Sequence, residues 1–332
     1  MKKFFALALT LVMVLSITAC GDEDVKNNSS TETVDANTIE IVNNAFNTTK
    51  TLLSSSKALG FDGTIVRSIT VDDVTSSTRY TVGIDYIDGD NGRNYACEIV
   101  QKFGDSSDEA QIYGDGKSNY AYKAGTTYIL SKHKDTDEFV NNLFSDIELI
   151  DIGNCTAKKT TIVDASIGGH CFVIEYDVSN FDAEKAFGSD IFDAKAEGYT
   201  VNSTKLTVSG TVDAKGRLIS QIVTYEYDYN INVQVEVEDE SKTESTNSST
   251  SSKKANSSSK NETSSEATAT TTVTKKVSNV LKVDIALKYD IEEVAIPDRI
   301  VIGKDKDGNE IKNTEISVTD FNKLSASAST SN

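Results

Sequence analysis

Val223-Thr-Tyr-Glu-Tyr-Asp-Tyr-Asn-Ile-Asn-Val-Gln-Val-Glu-Val237 is the stretch that decides the fold. Every odd position is Val, Tyr or Ile, and every even position is polar. A helix cannot keep a two-residue period over fifteen residues, whereas a strand does so by its geometry. At ~3.3 Å per residue such a strand runs close to ~50 Å, so it bends strongly or crosses a curved sheet. The alternation returns at Leu281, Val283, Ile285, Leu287, Tyr289 and Ile291. The two stretches read as the arms of one antiparallel ribbon with an apolar side and a wet side. Between them, Ser241 to Thr270 holds seventeen Ser or Thr residues and no aromatic or large aliphatic one. A segment of that composition cannot offset its ordering entropy, so residues 239–272 are expected to be a disordered insertion at the hairpin tip.

Upstream, Leu206, Val208, Gly210 and Val212 alternate up to the turn Asp213-Ala-Lys-Gly216, and Arg217 opens the return strand. Shorter strands are expected at Thr64–Thr70, Tyr80–Tyr86, Asn94–Val100, Ala110–Tyr113, Tyr120–Tyr122, Thr127–Leu130, Lys158–Val163 and Cys171–Val178. Three segments read as helices. From Asp35 to Leu59, the residues Ile39, Val42, Ala45, Phe46, Thr49, Leu52 and Leu53 recur at three- and four-residue steps. Asp35 or Asn37 would cap that helix and Gly60 would end it. The other two are Lys134–Phe144 and the weaker Asp182–Phe192. The fold class is therefore α+β, mostly antiparallel β, with an amphipathic N-terminal helix that needs a surface to lie on.

The chain has 332 residues, with 33 basic against 51 acidic and a net charge of −18. Such a surface repels nucleic acid, and no basic stripe offsets it. Lys2 and Lys3 precede an uncharged run from Phe4 to Ile17, too short to span a bilayer core of ~30 Å as a helix. This is the pattern of an export signal over residues 1–19. The run closes on Ile17-Thr-Ala-Cys20-Gly21, which resembles the lipobox of bacterial lipoproteins. That resemblance implies that Cys20 takes a diacylglyceryl group on its sulfur and becomes the mature N-terminus, held on the extracytoplasmic side of the cell membrane. Residues 20–34 would form a polar tether, and a body of 31 basic and 51 acidic residues would be pushed away from anionic headgroups.

Of the remaining cysteines, Cys155 and Cys171 flank an apparent hairpin and are the preferred disulfide pair, while Cys97 alternates with Tyr95 and Ile99 as a buried small hydrophobe. No C-x-x-C is present, and His133 and His170 lack a ligand spacing, so no metal or other cofactor is expected. Around Gly308, Asp305, Asp307 and Asn309 resemble a calcium loop, but the alignment places Gly303 and Thr314 where acids are required, so a turn is the better account. No nucleophile elbow, phosphate loop or H-E-x-x-H occurs. A non-enzymatic role is expected.

Taken together, the lipobox, the N-terminal helix and the run of antiparallel strands resemble Gram-positive lipoproteins with a LolA/LppX-like domain. The resemblance covers roughly residues 35–300, including Gly210-Thr-Val-Asp213 through Gly216-Arg-Leu218 and the closing Tyr289-Asp-Ile-Glu-Glu-Val-Ala-Ile-Pro297. It implies a strongly curved sheet, an open half-barrel, whose concave side is covered by the N-terminal helix and short helices. Residues 301–332 would be an extension with a short hairpin and a disordered end. On this resemblance the inner face takes a lipid or other apolar ligand, lined by Tyr225, Tyr227, Tyr229, Ile231, Leu287 and Tyr289. The alternative is an envelope interaction or structural module in which the same side chains pack into a solid core. Two α/β lobes, as in solute capture, would need alternating helices and strands that are scarce here.

Overall fold

The computed structural model describes residues 34–236, 270–295 and 314–324, apart from 91, 105, 124, 133, 146, 166–167, 189–191 and 193–199. The N-terminal helix α1 (Ala36–Ser55) is followed by β1 (Ala58–Val71), β2 (Val74–Gly89), β3 (Gly92–Phe103), β4 (Ser106–Asp115), β5 (Asn119–Lys123) and β6 (Thr126–Leu130). Next come α2 (Lys134–Ser145), β7 (Ala157–Asp164), β8 (His170–Tyr176) and α3 (Ala183–Phe187). The chain then forms β9 (Asn202–Val212), β10 (Leu218–Glu236), β11 (Thr270–Tyr289), β12 (Thr314–Ile316) and α4 (Val318–Lys323).

The two alternating stretches do form one ribbon. Val223 pairs with Val283, Tyr225 with Leu281 and Tyr229 with Val277 across β10 and β11. In-phase side chains therefore share one face, and Val223, Tyr225, Tyr227, Leu281, Val283 and Ile285 are all buried. β11 begins at Thr270, three residues inside the segment whose composition suggested disorder. The signal, Cys20, the tether up to residue 33, residues 237–269 and the Gly308 turn lie outside the described residues.

All the strands form a single sheet in the order β12-β6-β5-β4-β3-β2-β1-β11-β10-β9-β8-β7. β12 runs parallel to β6 and the other pairings are antiparallel. The sheet is curved and open, because its edge strands β7 and β12 do not join. Irregular register between β9 and β10 at Leu218/Ser220 and at Glu226/Tyr227 supplies local bending. The C-terminal residues 314–316 thus belong to the sheet, beyond the boundary at 300 that the sequence suggested. Ser131 donates both its amide and its hydroxyl to the carbonyl of Ile316 at 3.0 Å, fixing this return.

α1 crosses the concave side on a seam of small residues: Thr38, Val42, Ala45 and Thr49 are buried. Short side chains on that stripe let the helix approach the sheet closely. Asp35 caps the helix, accepting from the amides of Asn37 and Thr38 at 3.1 and 3.2 Å. Near its other end the Thr49 hydroxyl accepts from the Leu218 amide at 2.8 Å. α1 stops at Ser55, with Ser56 as its cap, so Gly60 is not the terminator expected from the sequence. It lies within β1, where a Cβ would come within 2.5 Å of an Asp85 carboxylate oxygen. Gly114 has a similar steric reason, since a Cβ there would stand 2.1 Å from the Tyr95 ring.

The core is therefore the concave face beneath α1, α2 and α3. Each large side chain it buries contributes about 1.5–3 kcal/mol relative to exposure. The Tyr227 side chain belongs to this layer and is 2% exposed. Tyr227→Asp should cost about 4 kcal/mol or more, from the lost ring and the charge left without solvent. Urea denaturation of that variant checks it, and an unchanged midpoint would show that the face is not buried.

Candidate functional site

The concave face has two ends of different character. At the closed end, Leu59, Phe61, Ile84, Tyr86, Tyr95 and Leu287 are buried under α1 and α2, and Phe144 of α2 meets the Tyr86 and Tyr95 rings edge-on at 5.4 and 5.3 Å. Tyr289 finishes this end: its hydroxyl donates to the Leu218 carbonyl at 2.6 Å, and the Arg217 guanidinium sits 4.1 Å from its ring centre. Burial raises the Tyr289 pKa above the usual phenol value, against the hydrogen bond with Thr49. The Asp213–Gly216 turn holds Arg217 in place, with the Arg217 amide donating to Asp213 Oδ1 at 2.8 Å. Leu287 and Tyr289 are thus part of the scaffold's closure.

Tyr225 and Tyr227 lie further along β10, under a cover of phenylalanines. Phe181 stands 5.0 Å from the Tyr225 ring and Phe192 stands 5.0 Å from the Tyr227 ring, both edge-on. The two tyrosines stack on each other at 5.1 Å, and Tyr225 shares a 2.6 Å hydrogen bond with the Ser203 hydroxyl. Burial raises the Tyr225 pKa, with the Ser203 bond acting the other way. Phe187 of α3 completes the cluster, 6.0 Å from Tyr225.

Tyr229 and Ile231 occupy the open end. Both are half-buried, as is Ile69, which shares their face on β1; Tyr80 and Ile99, half-buried on the same face, lie further in, level with Val283 and Ile285. At the rim Phe103 is 49% and Val273 40% exposed, a high exposure for apolar side chains of this size. β1 pairs with β11 only as far as Val71 and Val277, and β9 pairs with β10 only as far as Asn202 and Asp228. The last residues of the ribbon extend past both neighbours. A polar row crosses the face just below: Tyr80 pairs with Gln101 and Gln101 with Asp108. Gln101 donates to the Tyr80 hydroxyl at 3.4 Å, and Lys123 bonds Asp108 at 3.1 Å. Burial raises the Tyr80 pKa, and the charge of Arg67 opposes it.

The six residues grouped by the sequence are therefore distributed over three environments. Tyr80 and Ile69 were missed, although Tyr80 carries the alternation of its own strand. The expected disulfide is absent: Cys97, Cys155 and Cys171 are all free thiols. Cys171 pairs with Val163 beside the β7–β8 turn, whereas Cys155 precedes Ala157, which pairs with Tyr176 at the other end of the hairpin. Several residues of strand, roughly 3.3 Å each, separate the two thiols, far beyond the reach of a bridge. The Cys155 thiol instead donates to the Ile152 carbonyl at 3.0 Å. Cys97 is buried, which raises its thiol pKa.

Among the described residues no group of three or more His, Cys, Asp or Glu side chains is gathered where a metal ion would bind. His170 Nδ1 is 3.3 Å from Asp164 across the β7–β8 turn, and His133 lies outside the described residues. No helix among the described residues is long and apolar enough to cross a membrane. A cavity of about 360 Å³ opens at the closed end between the end of α1 and α2. Its Arg93 is wedged between Tyr86 and Phe144, 4.5 and 4.3 Å from their ring centres, and is bonded to Asp88.

No protein-family model matches the sequence, and no curated protein matches it. Among solved structures, the chain is similar to LprF from Mycobacterium bovis, with 12% identity over 79% of this chain and 97% of that one and a TM-score of 0.34. A DUF1329 family protein from Desulfovibrio piger overlaps 75% of this chain and 94% of its own, with 10% identity and a TM-score of 0.19. With overlaps this loose, function is read from the side chains of the chain itself.

The two-ended face has a direct energetic signature. Tyr225→Ala should cost about 3–5 kcal/mol, whereas Ile231→Ser should cost less than about 1 kcal/mol. Thermal denaturation of the two variants measures the contrast. Equal losses would show that the open end is as filled as the rest.

Proposed function

We propose that this chain is an extracytoplasmic lipoprotein, anchored to the cell membrane through Cys20, which takes an apolar or amphiphilic ligand on the open end of its concave face. The observation that carries this reading is the half-buried group Ile69, Tyr229 and Ile231, on strand ends that continue the buried face of Tyr225 and Tyr227 outward. Apolar side chains in that state gain about 0.8 kcal/mol for each CH₂ of a ligand removed from water. Tyrosine suits such a wall, because its ring supplies apolar area and its hydroxyl meets polar groups. The reading involves no bond-making step, no cofactor and no nucleic acid.

A second reading has an observation of its own. The phenylalanine cover over Tyr225 and Tyr227 fills the middle of the face with protein, as a non-enzymatic envelope interaction or structural module with a solid core would require.

The full chain carrying Cys20→Ser separates the two. On the first reading it leaves the membrane fraction, shows a co-purifying apolar species by native mass spectrometry and binds the fluorophore N-phenyl-1-naphthylamine. Ile231→Glu should then weaken fluorophore binding at least fivefold with little change in melting temperature. If no ligand co-purifies and the fluorophore is excluded, the solid-core reading stands in its place.

A further inference from the structure

Resting on the reading that the open end takes an amphiphile, we infer that Asn279 recognises the polar group adjoining the ligand's chain, and that this group is an acyl ester or amide carrying a hydroxyl or N–H. Asn279 is in phase with Val277, Leu281 and Val283, so it sits on the concave side of β11. It is 2% exposed, and neither its amide nitrogen nor its carbonyl oxygen has a hydrogen-bond partner. Leaving one buried polar group unpaired costs about 1–3 kcal/mol, a cost that a leucine at the same position would avoid. The carboxamide stands directly opposite Tyr227 on β10 and Ile69 on β1. It is therefore at the inner boundary of the open end, where the tyrosine stack passes from covered to half-buried.

The chemistry of the side chain selects the ligand group. An Asn amide presents two donors and one acceptor, so full satisfaction needs an acceptor and a donor together. An acyl ester or amide supplies the carbonyl, and an adjacent hydroxyl or N–H supplies the proton for Oδ1. A bare hydrocarbon supplies neither, and a carboxylate supplies acceptors alone. From Asn279 the acyl chain would lie along Ile69, Tyr229 and Ile231 toward the rim. Entry requires the rings of Phe181, Phe187 and Phe192 beside Tyr225 and Tyr227 to give way, and among the described residues the helix in that cover is the five-residue α3.

The test compares 1-monomyristoylglycerol with pyrene on the full chain carrying Cys20→Ser, with and without Asn279→Leu. The expected result is pyrene binding within twofold of the parent and at least a tenfold loss for the monoacylglycerol, equivalent to about 1.4 kcal/mol. A variant that binds the monoacylglycerol as tightly as the parent, whatever its melting temperature, overturns the assignment and leaves the proposed function intact. A parent that binds neither probe overturns both. Should the leucine variant fail to fold, the side-chain ¹⁵N–¹H₂ signal of Asn279 in the parent is read instead. It should shift with the monoacylglycerol and not with pyrene, and a signal unmoved by the monoacylglycerol overturns the assignment.

Discussion

The pairing of β1 with β11 is the constraint on which the rest of this molecule depends. Thirteen registered positions, from Leu59 with Tyr289 to Val71 with Val277, join a meander built from residues 58–130 to one built from residues 157–289. Each half alone would end on an exposed, apolar edge strand of twelve or more residues, a hazard that proteins avoid. Joining them makes β1 and β11 central and gives the helices one continuous concave surface to cover. The contacts are distant in sequence, so closing the sheet carries a large loop entropy that only the combined burial of both halves offsets.

That surface is covered unevenly, and the reason is the lengths of the elements. α1 is tied at the closed end by Thr49 and Leu218, and at its start the Asp35 amide donates to Thr160 of β7 at 2.8 Å. A helix of twenty residues spans about 30 Å, less than the run of β10 or β11, each of which is nineteen or twenty residues at roughly 3.3 Å apiece. Lying across the strands, it covers only part of their length. The far end of the ribbon extends beyond β1 and β9, and a two-stranded ribbon by itself is marginally stable in water. Ion pairs steady it from both faces: Lys276 is bonded to Asp228 at 2.8 Å on the polar side, and Lys275, opposite Ile231 on the concave side, is bonded to Asp72.

How much of this was legible follows from which forces are local. The two-residue period of β10 and β11 survives inspection because each side chain's face is set by its own strand. Likewise the α1 stripe is readable because one helix face is buried along its whole length. Gly60 misled because a glycine after a helix often ends it, while here its role is set by Asp85 on a neighbouring strand. Cys155 and Cys171 misled because hairpin flanks look adjacent until the register is known, and the register moves them apart. Asn279 was passed over because the apolar series was taken to begin at Leu281. Only the pairing with Tyr227 reveals that a polar side chain occupies an inner position.

The stack Tyr225–Tyr227–Tyr229 shows what the uneven cover means for binding. Its rings are 5.1 and then 6.4 Å apart, and they pass in four residues from fully buried to half-buried. A sheet face whose sole purpose was packing would gain more by ending its tyrosines where its cover ends, since a half-exposed ring forfeits part of its transfer energy. On the proposed function the exposed remainder has a use, because an acyl chain laid against Tyr229 and Ile231 would continue the phenylalanine layer outward along the strand. Protein and ligand then compete for one surface, and affinity is the difference between two similar burial energies. Such a balance favours weak, reversible binding over permanent occupancy, and it places discrimination between ligands in the few polar contacts that apolar packing cannot imitate.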